Sequence, residues 1–172
     1  LEDNLIDENT KVDTGNGVME FFGEYKVKDS KKGGYGKISV NDVFKFSSNT
    51  GIVDIVTRGY GDNPKKFSDR LYNMGLNSVL NLSIKGEGKP IIPHPNDKNC
   101  NGLSLPWMAY GYGVSLTPMQ ILSFYNAIAN NGKMVSPRFG TDIKDKTGII
   151  ESFPTIVLSN KICSEKTIQS II

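Results

Sequence analysis

A chain of 172 residues has room for one domain with a single hydrophobic core and little more. Hydrophobic residues at 38% and charged residues at 22% are ordinary for a globular domain, and 20 basic against 18 acidic residues leave a net charge of only +2. The charges are interspersed and no apolar run nears roughly 18 residues, which excludes a basic nucleic-acid-binding face and a membrane-spanning helix within this sequence.

Leu1 stands where a start Met would be and no signal peptide opens the chain, so the sequence is expected to begin mid-protein. Cys100 and Cys163 are too few for a disulfide framework and lack metal-ligand spacing, while their separation leaves pairing open. His94 is the only histidine, so a histidine-based triad or His-rich zinc site has no basis. Between two prolines, it is expected in a surface loop.

Residues 1–37 are rich in turn formers. Alternation over Glu24–Lys28 predicts a strand, and "VMEFFGEYKV" predicts a hairpin turning near Gly23. Ser39 and Asp42 form a capping-box pattern before a helix with Val40, Val43 and Phe44 on one face. That helix breaks at "FKFSSNTG", where serines and an asparagine compete for backbone hydrogen bonds. Apolar periodicity resumes at Ile52, Val53, Ile55 and Val56. Asn63-Pro64 starts another helix, with Phe67, Leu71 and Met74 on one face and Gly75 at its end.

Residues 84–106 hold four of the eight prolines and predict a long irregular loop. Its Gly86-Glu87-Gly88-Lys89 lacks the context of a phosphate loop. Thr117-Pro118-Met119-Gln120 then supplies an N-cap, an N1 proline and a closing Gln for a helix that is apolar almost all round, hence expected to be buried. Short strands or turns follow around "KMVSPRF" and "TGIIESF". A last helix, capped by Ser164, places Ile168, Ile171 and Ile172 on one face.

The residues that could carry chemistry are Ser47-Ser48-Asn49. At an abrupt break between two helices, residues i and i+2 can face one cleft, offering a hydroxyl from Ser47 and a carboxamide from Asn49. That pair can relay a proton and hold an amide or an ammonium. The same triplet is also a good helix stop that needs no chemistry.

The stretch "GGYGKISVNDVFKFSSNTGIV" resembles the segment around the Ser-x-Asn motif of class B penicillin-binding proteins, the peptidoglycan transpeptidases of bacterial division and elongation. "AYGYGVSLTPMQILSFYNAIANNGKMVSPRF" resembles a second, longer block of that family, and "KVKDS" and "LEDNLIDENTKVDTG" are similar to family sequence as well. The resemblance covers essentially the whole chain. It implies that Ser47 passes a proton between the catalytic lysine and the amine, and that Asn49 hydrogen-bonds the acyl side chain and the lysine. Tyr110 and Tyr112 would line the cleft near the acyl group or pack beneath it. Peptidoglycan stem peptides and β-lactams are the implied ligands and cell-wall synthesis proteins the implied partners. No metal, cofactor or nucleic acid is implied. The implied location is the extracytoplasmic face of the bacterial membrane.

The family acylates through Ser-x-x-Lys, and no serine here is followed three positions later by lysine. The chain is therefore expected to be a fragment, residues 1–172 of one transpeptidase domain, starting after the nucleophile. Lys146-Thr147-Gly148 looks like the family's third motif, but the charged Lys144 and Asp145 before it predict a turn closing on glycine. The genuine strand is expected further on. The expected fold is mainly α with a small N-terminal β-hairpin and long loops, the helical part of a β-lactamase-like α/β serine transpeptidase lacking most of its sheet. A catalytically dead homologue or β-lactam sensor, and a helical interaction module, stand as alternatives.

Overall fold

The computed structural model describes residues 1–7 and 9–172. In chain order the elements are β1 (Lys11–Asp13), β2 (Val18–Phe21), β3 (Tyr25–Lys28), β4 (Lys37–Ser39), α1 (Val40–Lys45), α2 (Asn49–Tyr60), α3 (Pro64–Asn73) and α4 (Ser104–Ala109). There follow α5 (Pro118–Ala129), β5 (Met134–Val135), β6 (Asp142–Asp145), β7 (Gly148–Ser152), β8 (Val157–Ser159) and α6 (Glu165–Ile171). They fall into two units, Leu1–Asp69 with Pro93–Val114, and Arg70–Ile92 with Ser115–Ile172.

In the first unit β2 and β3 form the expected antiparallel hairpin, with Val18 opposite Lys28 and Phe21 opposite Tyr25. Phe22 and Gly23 turn it at positive φ. A second antiparallel pair, β1 with β4, joins segments about two dozen residues apart, Val12 facing Ile38. Ser39 caps α1 as its spacing predicts: its Oγ accepts from the Asp42 N–H at 3.1 Å and donates to the Asp42 carboxylate at 2.7 Å. Of the predicted apolar face only Val43 is buried; Phe44 is 78% exposed. Helix α2 buries Val53 and Val56 as the periodicity predicts, with Thr50 and Gly51 beside them. Gly51 is where α1 and α2 touch: a Cβ there would lie 2.8 Å from Val43 Cγ2 and 3.0 Å from Ser48 Oγ.

His94 departs from expectation, for it is buried rather than displayed on a loop. Its Nδ1 accepts the Asn96 N–H at 3.1 Å, which leaves the proton on Nε2 to bond Asp69 at 3.2 Å. The Ser68 hydroxyl, fully buried, donates to the Pro93 carbonyl at 2.9 Å. These bonds anchor part of the proline-rich segment to the end of the chain's 1–69 stretch.

In the second unit the core is Ala127, Met134, Ile162, Cys163 and Ile168, with Met74, Phe124 and Ile128 against it. Gly75, at φ +79, ends α3 as predicted, and the Leu76 N–H reaches back to the Leu71 carbonyl. The capping box of α5 is complete: Gln120 N–H donates to Thr117 Oγ1, and Thr117 N–H donates to Gln120 Oε1. Glu87 is structural, its carboxylate accepting the N–H groups of Leu80 and Leu82. Both cysteines carry thiols.

Three expectations are corrected. Helix α5 is not buried all round: Gln120, Ser123 and Ala127 are inside, while Ile121, Leu122 and Tyr125 are exposed. In α6 only Ile168 of the predicted isoleucine face is buried, because the helix ends at Ile171 and its last turn leaves the core. The strand content is larger than expected: besides the β2–β3 hairpin and the short strands at Met134–Val135 and Gly148–Ser152, where strands or turns were read, β1, β4, β6 and β8 are strands as well. β1, β4 and β8 have three residues each, too few for period-two alternation to announce them.

Candidate active site

Ser47, Ser48 and Asn49 form the elbow between α1 and α2, and each does something different. The Ser47 N–H bonds the Phe44 carbonyl at 3.1 Å and the Ser48 N–H bonds the Val43 carbonyl at 2.9 Å, closing α1. To leave that helix and enter the next, Ser47 takes φ +51, a left-handed conformation that costs a non-glycine residue about 1–2 kcal/mol. Strain held at one exposed polar residue is the kind of outlier found at functional sites.

Ser48 is buried and serves as the N-cap of α2, its Oγ accepting the Gly51 N–H at 3.0 Å. Asn49, half-buried at the first position of α2, donates from Nδ2 to the Lys28 carbonyl at 2.8 Å. A primary carboxamide has two N–H groups and two acceptor lone pairs. One N–H is thus committed to the backbone of β3, which fixes the amide plane.

Behind the elbow lies Asp29, the residue after β3. Its Oδ1 accepts the Thr50 N–H at 2.9 Å and its Oδ2 accepts the Thr50 hydroxyl at 2.8 Å. The Ser48 hydroxyl lies 3.2 and 3.1 Å from the two oxygens. Asp29 is itself tied down by its N–H on the Gly17 carbonyl at 2.9 Å. A carboxylate beside the N-terminus of α2 also complements that helix's dipole. The end of α1 is braced by Tyr35, whose ring stacks on Phe46 with centroids 5.1 Å apart and planes 8° from parallel.

Tyr110 and Tyr112 sit after α4, which packs against α2. Their rings are 4.9 Å apart, and Tyr110 meets Trp107 edge-on at 5.8 Å. Trp107 in turn is edge-on to Phe21 and Tyr25 of the hairpin. Tyr110 is half-buried, and burial, then the neighbouring Tyr112, push its hydroxyl above the usual tyrosine range. Tyr112 is 63% exposed. Among the described residues no hydrogen bond or ring contact joins Ser47 or Asn49 to either tyrosine. Sequence reasoning missed Asp29 as part of the site. The available signals were its place in the family-like stretch "KVKDS" and its position directly after the alternating Glu24–Lys28 stretch.

Lys146 and Thr147 occupy the tip of the β6–β7 hairpin. Asp145 accepts the Thr147 N–H and hydroxyl, each at 2.7 Å, and the Gly148 N–H at 3.1 Å. Those bonds, led by the Thr147 hydroxyl, hold the Asp145 carboxyl below the usual range. Every residue of that tip is exposed. The turn predicted from sequence is present, and the residues before it are a strand rather than part of the loop.

Comparison with known proteins shows the family. All 172 residues match the penicillin binding protein transpeptidase domain. The chain is 31% identical over 116 residues to penicillin-binding protein PbpB of Mycolicibacterium smegmatis, covering 67% of this chain and 17% of that protein. It is 26% identical over 132 residues to the peptidoglycan D,D-transpeptidase FtsI of Buchnera aphidicola, covering 77% of this chain and 22% of that one. The chain therefore spans roughly a fifth of the curated relatives it matches. Among solved structures, penicillin-binding protein 3 of Mycobacterium tuberculosis in complex with ampicillin superposes with a TM-score of 0.72 at 25% identity, over 96% of this chain and 34% of that one. The same protein with aztreonam gives a TM-score of 0.76 at 24% identity, over 99% and 36%. With whole-length agreement to the family and a shared fold, the chain belongs to the transpeptidase domain family of class B penicillin-binding proteins.

Proposed function

We propose that this chain forms the Ser-x-Asn wall of the active cleft in a peptidoglycan D,D-transpeptidase. The observation that carries the reading is the elbow at 47–49, where an exposed, strained serine and an oriented carboxamide stand two residues apart. In the reaction a serine of a Ser-x-x-Lys segment, which this chain does not contain, attacks the carbonyl of a D-Ala-D-Ala bond with lysine as base. The Ser47 hydroxyl accepts the lysine's proton while donating its own to the departing amine nitrogen. In deacylation the same relay runs backwards as the acceptor amine attacks. Asn49, with one N–H held by Lys28, has its carbonyl oxygen for the lysine ammonium and its second N–H for the acyl side chain. Tyr110 and Tyr112 flank the acyl group.

β-Lactams are ligands of the solved neighbours named above, and by this reading they acylate the same serine in the protein that carries this chain. The reaction lies outside the cytoplasmic membrane, in company with cell-wall synthesis proteins, and needs neither metal nor cofactor. No helix among the described residues is long and apolar enough to cross a membrane.

The test is labelling with a fluorescent penicillin, applied to residues 1–172 and to a chain extended to include Ser-x-x-Lys and a Lys-Thr-Gly strand. One covalent adduct is expected on the extended chain and none on the short one. An extended chain that stays unlabelled would refute the transpeptidase reading, and a stable adduct on the short chain would refute the absence of the nucleophile.

A further inference from the structure

We infer that Asp29 is a positioning residue for the Ser47-x-Asn49 wall, an inference that rests on the function proposed above. Lys28 and Asp29 are consecutive, and between them they hold three consecutive residues, Ser48 and Asn49 of the elbow and Thr50 just after it. The Lys28 carbonyl takes the Asn49 amide, while the Asp29 carboxylate takes the Ser48 hydroxyl and both donors of Thr50. All of these bonds span 19 to 21 residues of sequence, so the end of the hairpin is clamped to the start of α2.

The chemistry of the clamp specifies a carboxylate. Every group that meets Asp29 in the elbow is a donor, and an ionised carboxylate offers acceptors only. An asparagine in its place would turn an N–H toward Ser48 or Thr50 and remove the charge beside the N-terminus of α2. One of the Ser48 and Thr50 hydroxyls would then lose its acceptor, and Ser47 and Asn49 sit on either side of Ser48. Asp29 does not touch the reacting groups itself. It acts through Ser48 and Thr50, keeping the Ser47 backbone in its left-handed turn and the Asn49 amide on Lys28.

The acceptor geometry also separates this role from plain stability. Asp29 is only partly buried, and its N–H bond to Gly17 is made by the backbone, which a side-chain substitution leaves in place. A change from Asp29 to Asn should therefore loosen the elbow while the surrounding fold remains.

The experiment measures the rate of acylation by fluorescent penicillin in the complete transpeptidase domain, for the unmodified protein, Asp29→Asn, Ser47→Ala and the double variant. Asp29→Ala is made alongside, and Asp29→Asn, which keeps the side-chain volume, decides where Asp29→Ala fails to fold. Asp29→Asn is expected to label roughly tenfold more slowly, the scale of a small misplacement of a relay group. On the Ser47→Ala background it is expected to slow labelling by clearly less than it does alone, because Ser47 no longer has a hydroxyl to position and only Asn49 is left. An unchanged rate in Asp29→Asn overturns the inference, and so does a slowing that adds in full to that of Ser47→Ala, which would mark a general structural role. Failure of the unmodified domain to label overturns the proposed function itself, and the role of Asp29 falls with it; that result is read without any variant.

Discussion

Ser47 and Ser48 are adjacent, identical in chemistry and opposite in use. Ser48 is 1% exposed and spends its hydroxyl on Gly51 and Asp29. Ser47 is exposed and holds a backbone conformation that serine disfavours. Ser48→Ala should remove an N-cap and one bond of the Asp29 clamp, costing about 1–2 kcal/mol of stability. Ser47→Ala should leave stability within about 0.5 kcal/mol. Ser47→Gly should gain up to about 1 kcal/mol by relieving the left-handed turn, while losing the hydroxyl just the same. Urea denaturation of the three variants checks the order; a Ser47→Ala as destabilised as Ser48→Ala would contradict the division of labour.

Gly51 tests the packing behind the elbow. Alanine is the better helix former by up to about 1 kcal/mol, yet its Cβ would sit within 3.0 Å of both Val43 methyls and of Ser48 Oγ. Overpacking of that kind costs about 1–3 kcal/mol. Gly51→Ala is therefore expected to lower the unfolding midpoint. A stabilised variant would show that α1 and α2 yield at this contact.

The acid limb of stability should carry the signature of the α1 cap. The Ser39 hydroxyl bond, above all, holds the Asp42 carboxyl below the usual aspartate range, against a partial opposing effect of burial. A depressed folded-state value means that this contribution is present above the ordinary carboxylate range and is lost as pH falls through it. Asp42→Asn should flatten the dependence of unfolding free energy on pH from the ordinary aspartate value of about 4 downward, toward the lower folded value. At the other end, Tyr110 is raised, so its contribution is complete below about pH 10 and fades as pH rises through the folded value. Tyr110→Phe should remove that alkaline loss.

Lys146-Thr147-Gly148 is the motif that looks most catalytic on paper and is least so in space. Replacing Lys146 by Asn together with Thr147 by Gly gives a sequence suited to a tight hairpin turn. Penicillin acylation of the complete domain should stay within about twofold of the original, the spread that experimental error and a surface change allow. A loss of about a hundredfold would return the triplet to the active site.

What the sequence made legible follows the range of the interactions. The caps at Ser39, Thr117 and Ser164 were readable because each involves residues three apart. The β2–β3 hairpin and the turn at 146–147 were readable for the same reason. The pair β1–β4 and the burial of His94 depend on partners some 25 residues away, which local patterns do not encode. Exposure of Ile121, Leu122 and Tyr125 runs against their hydropathy, so apolarity around most of α5 predicted burial on every side where one face is open. In the site, Ser47 and Asn49 came from a triplet and its context, whereas Asp29 could be seen only once β3 and α2 were brought together.

The most direct measurement is the acylation rate of the complete transpeptidase domain with Ser47→Ala and with Asn49→Ala. If the elbow is the Ser-x-Asn wall, Ser47→Ala should slow acylation about a hundredfold or more, the scale of a lost proton relay. Asn49→Ala should slow it about tenfold, the worth of a hydrogen bond of roughly 1.4 kcal/mol, with both proteins folded by circular dichroism. Two folded variants that label at the original rate would contradict the assignment of Ser47 and Asn49 to the reaction.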